Sequence, residues 1–291
     1  MKDLTLIIPA YNEEESISIF LPSVVEFCKS NETHVIIIND GSVDNTKAYL
    51  DNNYLDSDFI TVIHHKLNKG YGESIKTGIS AAKTDFIVTI DADGQHILTN
   101  IFDLYKDRIL HDADMVVGSR KNESSTSHYR GLGKFIIRII TARLVKTTIY
   151  DLNSGMKLMN TGLAKKYNKL CPGNMAYSNI IVLSFISQGH RVIETNISTN
   201  VRIGGVSKIN TRTAVDTVAE IFNIIMVFNP LKIFGFISFI LIFIGVVWAI
   251  PIALQGNGIS VGSMMAIVIG IVFFVLGLLA EQISLIRKAL L

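Results

Sequence analysis

The stretch FIVTIDADGQH, residues 86–96, joins an apolar run to an acidic segment. The run Phe86–Ile90 has the length and composition of a buried strand. Asp91 and Asp93 follow at its carboxyl end, where two carboxylates cannot belong to a hydrophobic core. The stretch therefore predicts a strand that delivers charged side chains to one edge of a sheet.

Two interpretations of this acidic segment follow from the residues alone. If the extended geometry continued, Asp91, Asp93 and Gln95 would point the same way, because strand side chains alternate between faces. Two carboxylates and an amide oxygen form a ligand set for Mg²⁺ or Mn²⁺. The same residues are also typical of an acidic turn. The motifs elsewhere in the chain favour the metal site over the turn.

Short apolar or β-branched runs alternate with segments of helical spacing through the first 120 residues. Besides Phe86–Ile90, the predicted strands are Leu4–Pro9, His34–Asn39, Ile60–His64 and Met115–Gly118. The predicted helices cover approximately 14–30, 44–53, 70–83 and 97–111. This order predicts a Rossmann-like α/β domain with a largely parallel sheet and helices on both faces.

Polar motifs follow the predicted strands at their carboxyl ends, where such sheets bind ligands. They are PAYNEE at 9–14, NDGSVDNT at 39–46, DADGQH at 91–96 and GSR at 118–120. Four motifs at one edge of a sheet predict a ligand site there.

The C-terminal part predicts a membrane anchor. The chain is 49% hydrophobic with a mean hydropathy of +0.39, and Ile233–Leu254 and Ile259–Ala280 contain no charge. Each run is long enough to cross a hydrocarbon core of ~30 Å. Lys232 precedes the first run and Arg287 follows the second, so we expect a two-helix hairpin with both ends cytoplasmic. The N-terminus shows no signal peptide, so we expect residues 1 to about 230 to face the cytoplasm as a membrane-anchored domain.

Two further segments have membrane-surface character. Residues 130–150 interleave cations with apolar side chains, and residues 211–230 run into the first predicted span. The first segment is either an interfacial helix with its cations near anionic phosphate or an ordinary helix packed on the sheet, and both interpretations stay open. We expect the second to lie along the interface. The two cysteines, Cys28 and Cys171, lack metal or redox spacing and predict free thiols.

Three charged residues outside the acidic segment are also candidates. Asp40 follows the strand 34–39 and is either a turn residue or a fixed carboxylate that accepts an N–H from a uracil or guanine base. Arg202 and Lys208 flank a glycine-containing loop, which is either a solvated basic loop or a lid that neutralises a leaving diphosphate.

The order of the motifs resembles a known family. PAYNEE, NDGSVDNT, DADGQH and GSR are followed by DLNSGMKLMN at 151–160, VRIGGVSK at 201–208 and the hairpin. This arrangement is similar to the family 2 glycosyltransferases with the GT-A fold. More narrowly, it resembles the polyisoprenyl-phosphate glycosyltransferases, of the dolichyl-phosphate mannose synthase and bactoprenol glucosyltransferase type. The resemblance covers essentially the whole chain.

The resemblance implies a role for each matching residue. Arg202 and Lys208 match the diphosphate-binding R…SK pair, and with Asp93 they would be catalytic. Asp151 and Ser154 lie in the D-x-x-S-G turn on the acceptor side. The donor would contact Pro9, Tyr11, Glu13, Ile38, Asp40, Asp91, Ala92 and Arg120. Asp91, Asp93 and Gln95 would surround Mg²⁺ or Mn²⁺.

The first hypothesis is a membrane-bound, metal-dependent, inverting glycosyltransferase. It would move a sugar from a UDP- or GDP-linked donor to an undecaprenyl or dolichyl phosphate at the cytoplasmic leaflet, with no nucleic-acid partner and with homo-oligomerisation left open. The second is a family 2 transferase that acts on a glycan or lipid hydroxyl with Asp151 as base. The third is a membrane scaffold with an inactive transferase fold, against which the retained acidic and basic residues argue. The expected domains are residues 1–210, 211–230 and 231–291.

Overall fold

A computed structural model describes residues 1–55, 57–120, 149–200, 226, 228, 230–256 and 258–289. The chain forms two compact units, Met1–Val215 and Asp216–Leu291. Nearly all of the predicted segments 130–150 and 211–230 lie outside the described residues, as do Arg202 and Lys208.

The first unit is built on a seven-stranded sheet. Its strands are β1 Leu4–Ala10, β2 His34–Asn39, β3 Ile60–His64, β4 Phe86–Thr89, β5 Met115–Ser119, β6 Lys157–Asn160 and β7 Val192–Asn196. The spatial order is β3-β2-β1-β4-β6-β5-β7, and only β6 runs antiparallel to its neighbours. The predicted α/β class with a largely parallel sheet is confirmed.

The four predicted helices are present between the first five strands. The helices of this unit are α1 Glu14–Asn31, α2 Thr46–Tyr54, α3 Tyr71–Ala81, α4 Asn100–His111, α5 Thr161–Tyr167 and α6 Tyr177–Ser187. Gly78 lets α3 approach the sheet closely, because a side chain there would overlap Ile7 and Ile38. This packing fixes the start of α3 near the carboxyl ends of β1 and β2.

Sequence reasoning missed the elements of the first unit that follow residue 120. Strand β6 has only four residues and begins with a buried lysine, so it lacks the apolar character of a central strand. Helix α6 is buried at every position from Tyr177 to Phe185, so it lacks the one-sided apolar pattern of a surface helix. Both elements depend on tertiary burial that local periodicity does not report.

The second unit is a helical hairpin. Its helices are α7 Pro230–Leu254 and α8 Val261–Ala289, and both are long and apolar enough to cross a membrane. They pack closely at glycines, since a side chain at Gly245 or Gly270 would overlap the opposite helix. The Leu231 N–H at the start of α7 donates to Glu281 Oε2 of α8 at 3.3 Å, which satisfies one of the unpaired donors of a helix N-terminus.

The two cysteines are free and buried, as their spacing predicted. Burial raises the pKa of the Cys28 thiol to about 12, and the thiolate is the reactive form. We therefore expect no alkylation of Cys28 by iodoacetamide in the native protein at about pH 8, near the ordinary thiol pKa.

Mass spectrometry of the labelled protein measures this protection. A Leu110→Cys variant is the control, because Leu110 is largely exposed and its replacement should react at once. Rapid native labelling of Cys28 would contradict the packing of α1 on the sheet.

Candidate active site

A cleft of about 420 Å³ lies at the carboxyl edge of the sheet, where the ends of β1, β2 and β4 meet. The parallel order of these strands brings three sequence motifs to one place. The cleft is lined by Pro9, Ala10, Tyr11, Glu13, Asp40, Asn68, Gly70, Tyr71, Ser74, Asp91, Ala92, Asp93 and Met175.

The first two motifs are joined by reciprocal hydrogen bonds. The Asn12 N–H donates to Ser42 Oγ at 3.0 Å, and the Val43 N–H donates back to Asn12 Oδ1 at 2.9 Å. The Glu13 N–H donates to Thr46 Oγ1 at 3.1 Å. These bonds hold the loops after β1 and β2 as one wall of the cleft. Tyr11 projects from that wall and is 43% exposed.

Asp40 is a fixed carboxylate at the floor of the cleft, beside this wall. Its Oδ1 accepts the Lys69 N–H at 2.9 Å and lies 2.7 Å from His65 Nδ1, and its Oδ2 accepts the Gly70 N–H at 2.8 Å. The side chain is buried yet lines the cleft. The bonds join the end of β2 to the start of α3 and leave acceptor capacity on Oδ2 for a ligand N–H.

The acidic segment is a turn and not a continuation of the strand. Strand β4 ends at Thr89, and Gly94 adopts a φ of 74°, which favours glycine. Asp93 Oδ1 accepts the Gln95 N–H at 3.1 Å, so the Asp93 side chain closes the turn. The prediction that strand alternation aligns Asp91, Asp93 and Gln95 is therefore wrong, because the extended geometry ends before these residues. Asp91 and Asp93 still both line the cleft.

Hydrogen bonds and positive charges surround the Asp91 carboxylate. His96 Nε2 lies 3.3 Å from its Oδ2, and the Tyr71 hydroxyl donates to the same carboxylate. Burial alone would raise the pKa of Asp91. The hydrogen bond and charge of His96, followed by the charges of Lys157 and Arg120, outweigh burial and hold that pKa below its ordinary value. Asp91 is therefore an anion at neutral pH.

Tyr71 stays a donor because its hydroxyl does not ionise near neutral pH. Burial raises the pKa of Tyr71 well above its ordinary value, and the charge and hydrogen bond of Asp91 raise it further. Sequence reasoning missed both Tyr71 and His96. The His at the end of DADGQH was a signal for the latter.

Arg120 and Asp151, which the sequence assigned to donor and acceptor, are bonded to each other. Arg120 Nε donates to Asp151 Oδ2 at 2.8 Å, and Arg120 Nη2 donates to Oδ1 at 3.1 Å. The Arg120 N–H also lies 3.3 Å from Oδ2. Glu194 Oε1 accepts the Asp151 N–H at 2.8 Å and orients this residue from β7. The two-point pair fixes the geometry of both side chains.

The structure brings some of the other predicted residues to the cleft and not others. Pro9, Glu13 and Ala92 line it. Ile38 is fully buried beneath α3, and Ser154 is fully buried with its hydroxyl bonded within its own turn, to Met156.

The described residues fit divalent metal binding by two carboxylates, with water and substrate phosphate as the other ligands. They contain no group of three or more His, Cys, Asp or Glu side chains that could cage an ion. Mg²⁺ commonly takes one or two carboxylates and fills its other positions with water and substrate phosphate. Asp91 and Asp93 at the cleft fit that mode.

The sheet order and the acidic cleft at its carboxyl edge define a GT-A type of Rossmann-like fold. A solved structure of glucosyl-3-phosphoglycerate synthase from Mycobacterium tuberculosis, in complex with Mn²⁺, UDP and phosphoglyceric acid, has the same fold with a TM-score of 0.58. The match covers 76% of this chain and 77% of that chain at 15% sequence identity.

Residues 5–168 match glycosyl transferase family 2, and residues 229–286 match the GtrB C-terminal hairpin. The chain belongs to glycosyl transferase family 2 and is a glycosyltransferase, which confirms the resemblance seen in its motifs. The hairpin match and the two apolar helices indicate a membrane-associated protein.

Two relatives extend the similarity over most of the chain. One is the polyprenol monophosphomannose synthase of Mycolicibacterium smegmatis, 28% identical over 74% of this chain and 85% of the relative. The other is the undecaprenyl-phosphate 4-deoxy-4-formamido-L-arabinose transferase of Photorhabdus laumondii, 24% identical over 98% of this chain and 89% of the relative.

Replacing Asp40 by Asn tests the anchoring of the cleft floor. An amide has one acceptor oxygen, so its NH₂ group would face an N–H donor and leave it unpaired. We expect the variant to lose about 1–3 kcal/mol of stability, the cost of an unsatisfied buried donor.

Thermal unfolding of the purified protein measures the loss. Asp103→Asn, on the exposed face of α4, is the control and should unfold like the wild type. An Asp40→Asn protein with an unchanged melting temperature would show that the three contacts do not anchor the loop.

Proposed function

We propose that this protein transfers a sugar from a nucleotide diphosphate to a polyprenyl phosphate at a membrane surface. Both relatives described above act on polyprenyl acceptors according to their names, and the chain shares their glycosyltransferase domain and carries a membrane hairpin. A phosphate oxygen of the acceptor attacks the anomeric carbon, and the bond from that carbon to the nucleotide diphosphate breaks with inversion.

The pairing of Asp151 with Arg120 is the observation that favours a phosphate acceptor. A hydroxyl acceptor needs a base to take its proton, whereas a phosphate monoester is already anionic near neutral pH. Both oxygens of the Asp151 carboxylate accept hydrogen bonds from the Arg120 guanidinium. A carboxylate held in this way is a poor proton acceptor, so the acceptor that needs no base fits better.

The cleft supports a metal-dependent mode of donor binding. Asp91 and Asp93 would hold Mg²⁺ or Mn²⁺, as ions of this kind accompany UDP in the solved structures of the mycobacterial synthase. When bound, the ion would neutralise charge on the departing diphosphate. The closed turn of Asp93 and the hydrogen bonds to Asp91 orient these carboxylates before the donor arrives. Gln95 does not line the cleft, so the two carboxylates would be the protein ligands of the ion.

The donor nucleotide would lie against the wall formed by the loops after β1 and β2. Tyr11 offers an exposed aromatic face for a base, and Asp40 offers a fixed acceptor for a base N–H. Pro9, Glu13 and Ala92 would complete the contacts.

Arg202 and Lys208 would neutralise the diphosphate from the other side. The Asn200 N–H donates to the Gln95 carbonyl at 2.8 Å, and His96 forms a β-bridge with Thr199. The chain therefore passes beside the acidic turn two residues before Arg202. This proximity supports the assignment of the R…SK pair to the leaving group.

A lipid acceptor also suggests how the enzyme is anchored at the membrane. The hairpin α7–α8 would anchor the enzyme with both termini and the transferase unit in the cytoplasm, as Lys232 and Arg287 at the hairpin ends favour. Anchoring concentrates the enzyme and a membrane-embedded acceptor in one plane.

Transfer should require a divalent ion held by Asp93. The assay incubates the purified protein with radiolabelled UDP- and GDP-sugars, Mn²⁺ and undecaprenyl phosphate, and counts the label in the organic phase. We expect chelation to abolish transfer, added Mn²⁺ or Mg²⁺ to restore it, and Asp93→Ala to lose at least about 100-fold because charge on the leaving group is left unstabilised.

The exposed Asp103→Ala variant is the matched control and should keep wild-type activity. A folded Asp93→Ala protein with full activity would remove the acidic turn from the mechanism.

Replacing Asp151 by Asn separates the phosphate acceptor from a hydroxyl acceptor. We expect kcat to fall by less than about tenfold, because a phosphate acceptor needs no general base. Loss of a general base typically costs ~10²–10⁴-fold. Arg202→Ala and Lys208→Ala should lose far more than Asp151→Asn. The same assay compares these three variants with Asp93→Ala and the wild type, and calorimetry measures donor affinity. If folded Asp151→Asn is as inactive as Asp93→Ala at unchanged donor affinity, the acceptor is a hydroxyl.

A further inference from the structure

Lys157 is a buried cation at the centre of the sheet. It has no direct role in the proposed transfer reaction. It opens β6, in register with Thr89 of β4 and Val117 of β5, and it is only 2% exposed. Removing an ammonium from water costs several kcal/mol unless partners compensate for it. A central strand position would ordinarily hold an apolar residue, so the lysine calls for a functional explanation.

The ammonium group binds the turn that lies beneath the acidic cleft. Lys157 Nζ donates to the Ser154 carbonyl and contacts Ser178 Oγ of α6. The Ser178 hydroxyl also donates to the Ser154 carbonyl, at 3.1 Å. Thr89 Oγ1 donates to the next carbonyl of the turn, that of Gly155, at 2.7 Å. Three side-chain donors thus hold two consecutive carbonyls.

This turn is packed directly against the Asp91 carboxylate. A side chain at position 155 would overlap that carboxylate, so any residue larger than glycine would have to displace Asp91. The turn begins at Asp151, whose pair with Arg120 fixes its other end. Any shift of the turn would therefore move Asp91 or the space available to it.

Lys157 also supplies charge to this region. Burial lowers the pKa of Lys157 to about 7, although the charges of Asp151 and Asp91 favour its ammonium form, and the nearby Arg120 adds to the lowering. Lys157 in turn is among the positive charges that keep Asp91 anionic. The contact geometry and the electrostatics act on the same carboxylate.

We propose that Lys157 is a positioning residue that holds the turn Asp151–Gly155 beneath Asp91 and so fixes Asp91 for binding of a metal–diphosphate. The proposal rests on the proposed function of Asp91. Lys157 acts through Asp91 and the turn and does not touch the substrates.

The test compares Lys157→Met with Ser178→Ala in the full-length protein in detergent. Calorimetry measures the Kd of UDP and of GDP, each with Mn²⁺ and with EDTA, and the melting temperature reports folding. We expect Lys157→Met to weaken Mn²⁺-dependent binding by about 10–100-fold, the range for loss of a residue that supports a metal ligand. Ser178→Ala keeps the cation but removes two hydrogen bonds, one that Ser178 accepts from Lys157 and one that it donates to the Ser154 carbonyl. It should change Kd by less than about tenfold, because Lys157 still holds that carbonyl.

Binding in EDTA should be the same in Lys157→Met and the wild type, because Lys157 acts through Asp91 on the metal–diphosphate. A general loss of structure would instead weaken binding both with and without metal. A folded Lys157→Met protein with wild-type Mn²⁺-dependent affinity would overturn the proposal. So would equal losses in Mn²⁺ and in EDTA.

If Lys157→Met does not fold, Gly155→Ala decides the question. Its added methyl group should displace the Asp91 carboxylate and weaken Mn²⁺-dependent binding by about 10–100-fold without removing a charge. Wild-type affinity in a folded Gly155→Ala protein would overturn the proposal.

Asp93→Ala separates this proposal from the proposed function. If Asp93→Ala loses Mn²⁺-dependent binding and Lys157→Met does not, the positioning role fails alone. If Asp93→Ala also binds normally, the metal site of the proposed function fails first.

Discussion

The antiparallel insertion of β6 between β4 and β5 is the constraint on which the site depends. It brings the turn Asp151–Gly155 under the end of β4, so that Gly155 packs against Asp91 while Asp151 pairs with Arg120 after β5. The remaining strands follow the parallel pattern of a nucleotide-binding sheet. One reversed strand therefore links the donor side of the cleft to the predicted acceptor side.

The charged side chains around the acidic turn and the turn Asp151–Gly155 must balance. Asp91, Asp93 and Asp151 would repel one another if they were alone, and burial makes unpaired carboxylates costly. Arg120 and Lys157 offset the charges of Asp91 and Asp151 from the side of the turn. These charges are balanced before the substrates bind. Asp91 and Asp93 can therefore stay oriented towards the position proposed for the metal–diphosphate. Preorganisation of this kind lowers the cost of ordering groups during the reaction.

The wall of the cleft formed by the loops after β1 and β2 is ordered by hydrogen bonds. The loops after β1 and β2 exchange backbone-to-side-chain hydrogen bonds, and Asp40 ties the second loop to the start of α3. Gly41, with a φ of 66°, lies so close to the backbone at Leu67 and Asn68 that a side chain would not fit. These hydrogen bonds tie the loop that carries Tyr11 to the loop that carries Asp40, an arrangement that would suit recognition of a planar base.

The sequence by itself determined the first five strands, their four helices, the apolar hairpin and the positions of the acidic and Asp40 motifs, because each depends on local periodicity or on strand-end chemistry. Local pattern also identified Asp91 and Asp93, although the reason from strand alternation was wrong. Only the tertiary structure decided that Arg120 pairs with Asp151, that Ile38 and Ser154 are buried, and that Tyr71, His96 and Lys157 surround Asp91. These contacts join residues far apart in the chain, and a lysine that begins a short buried strand has no local signature, because its burial depends on the strands on either side of it.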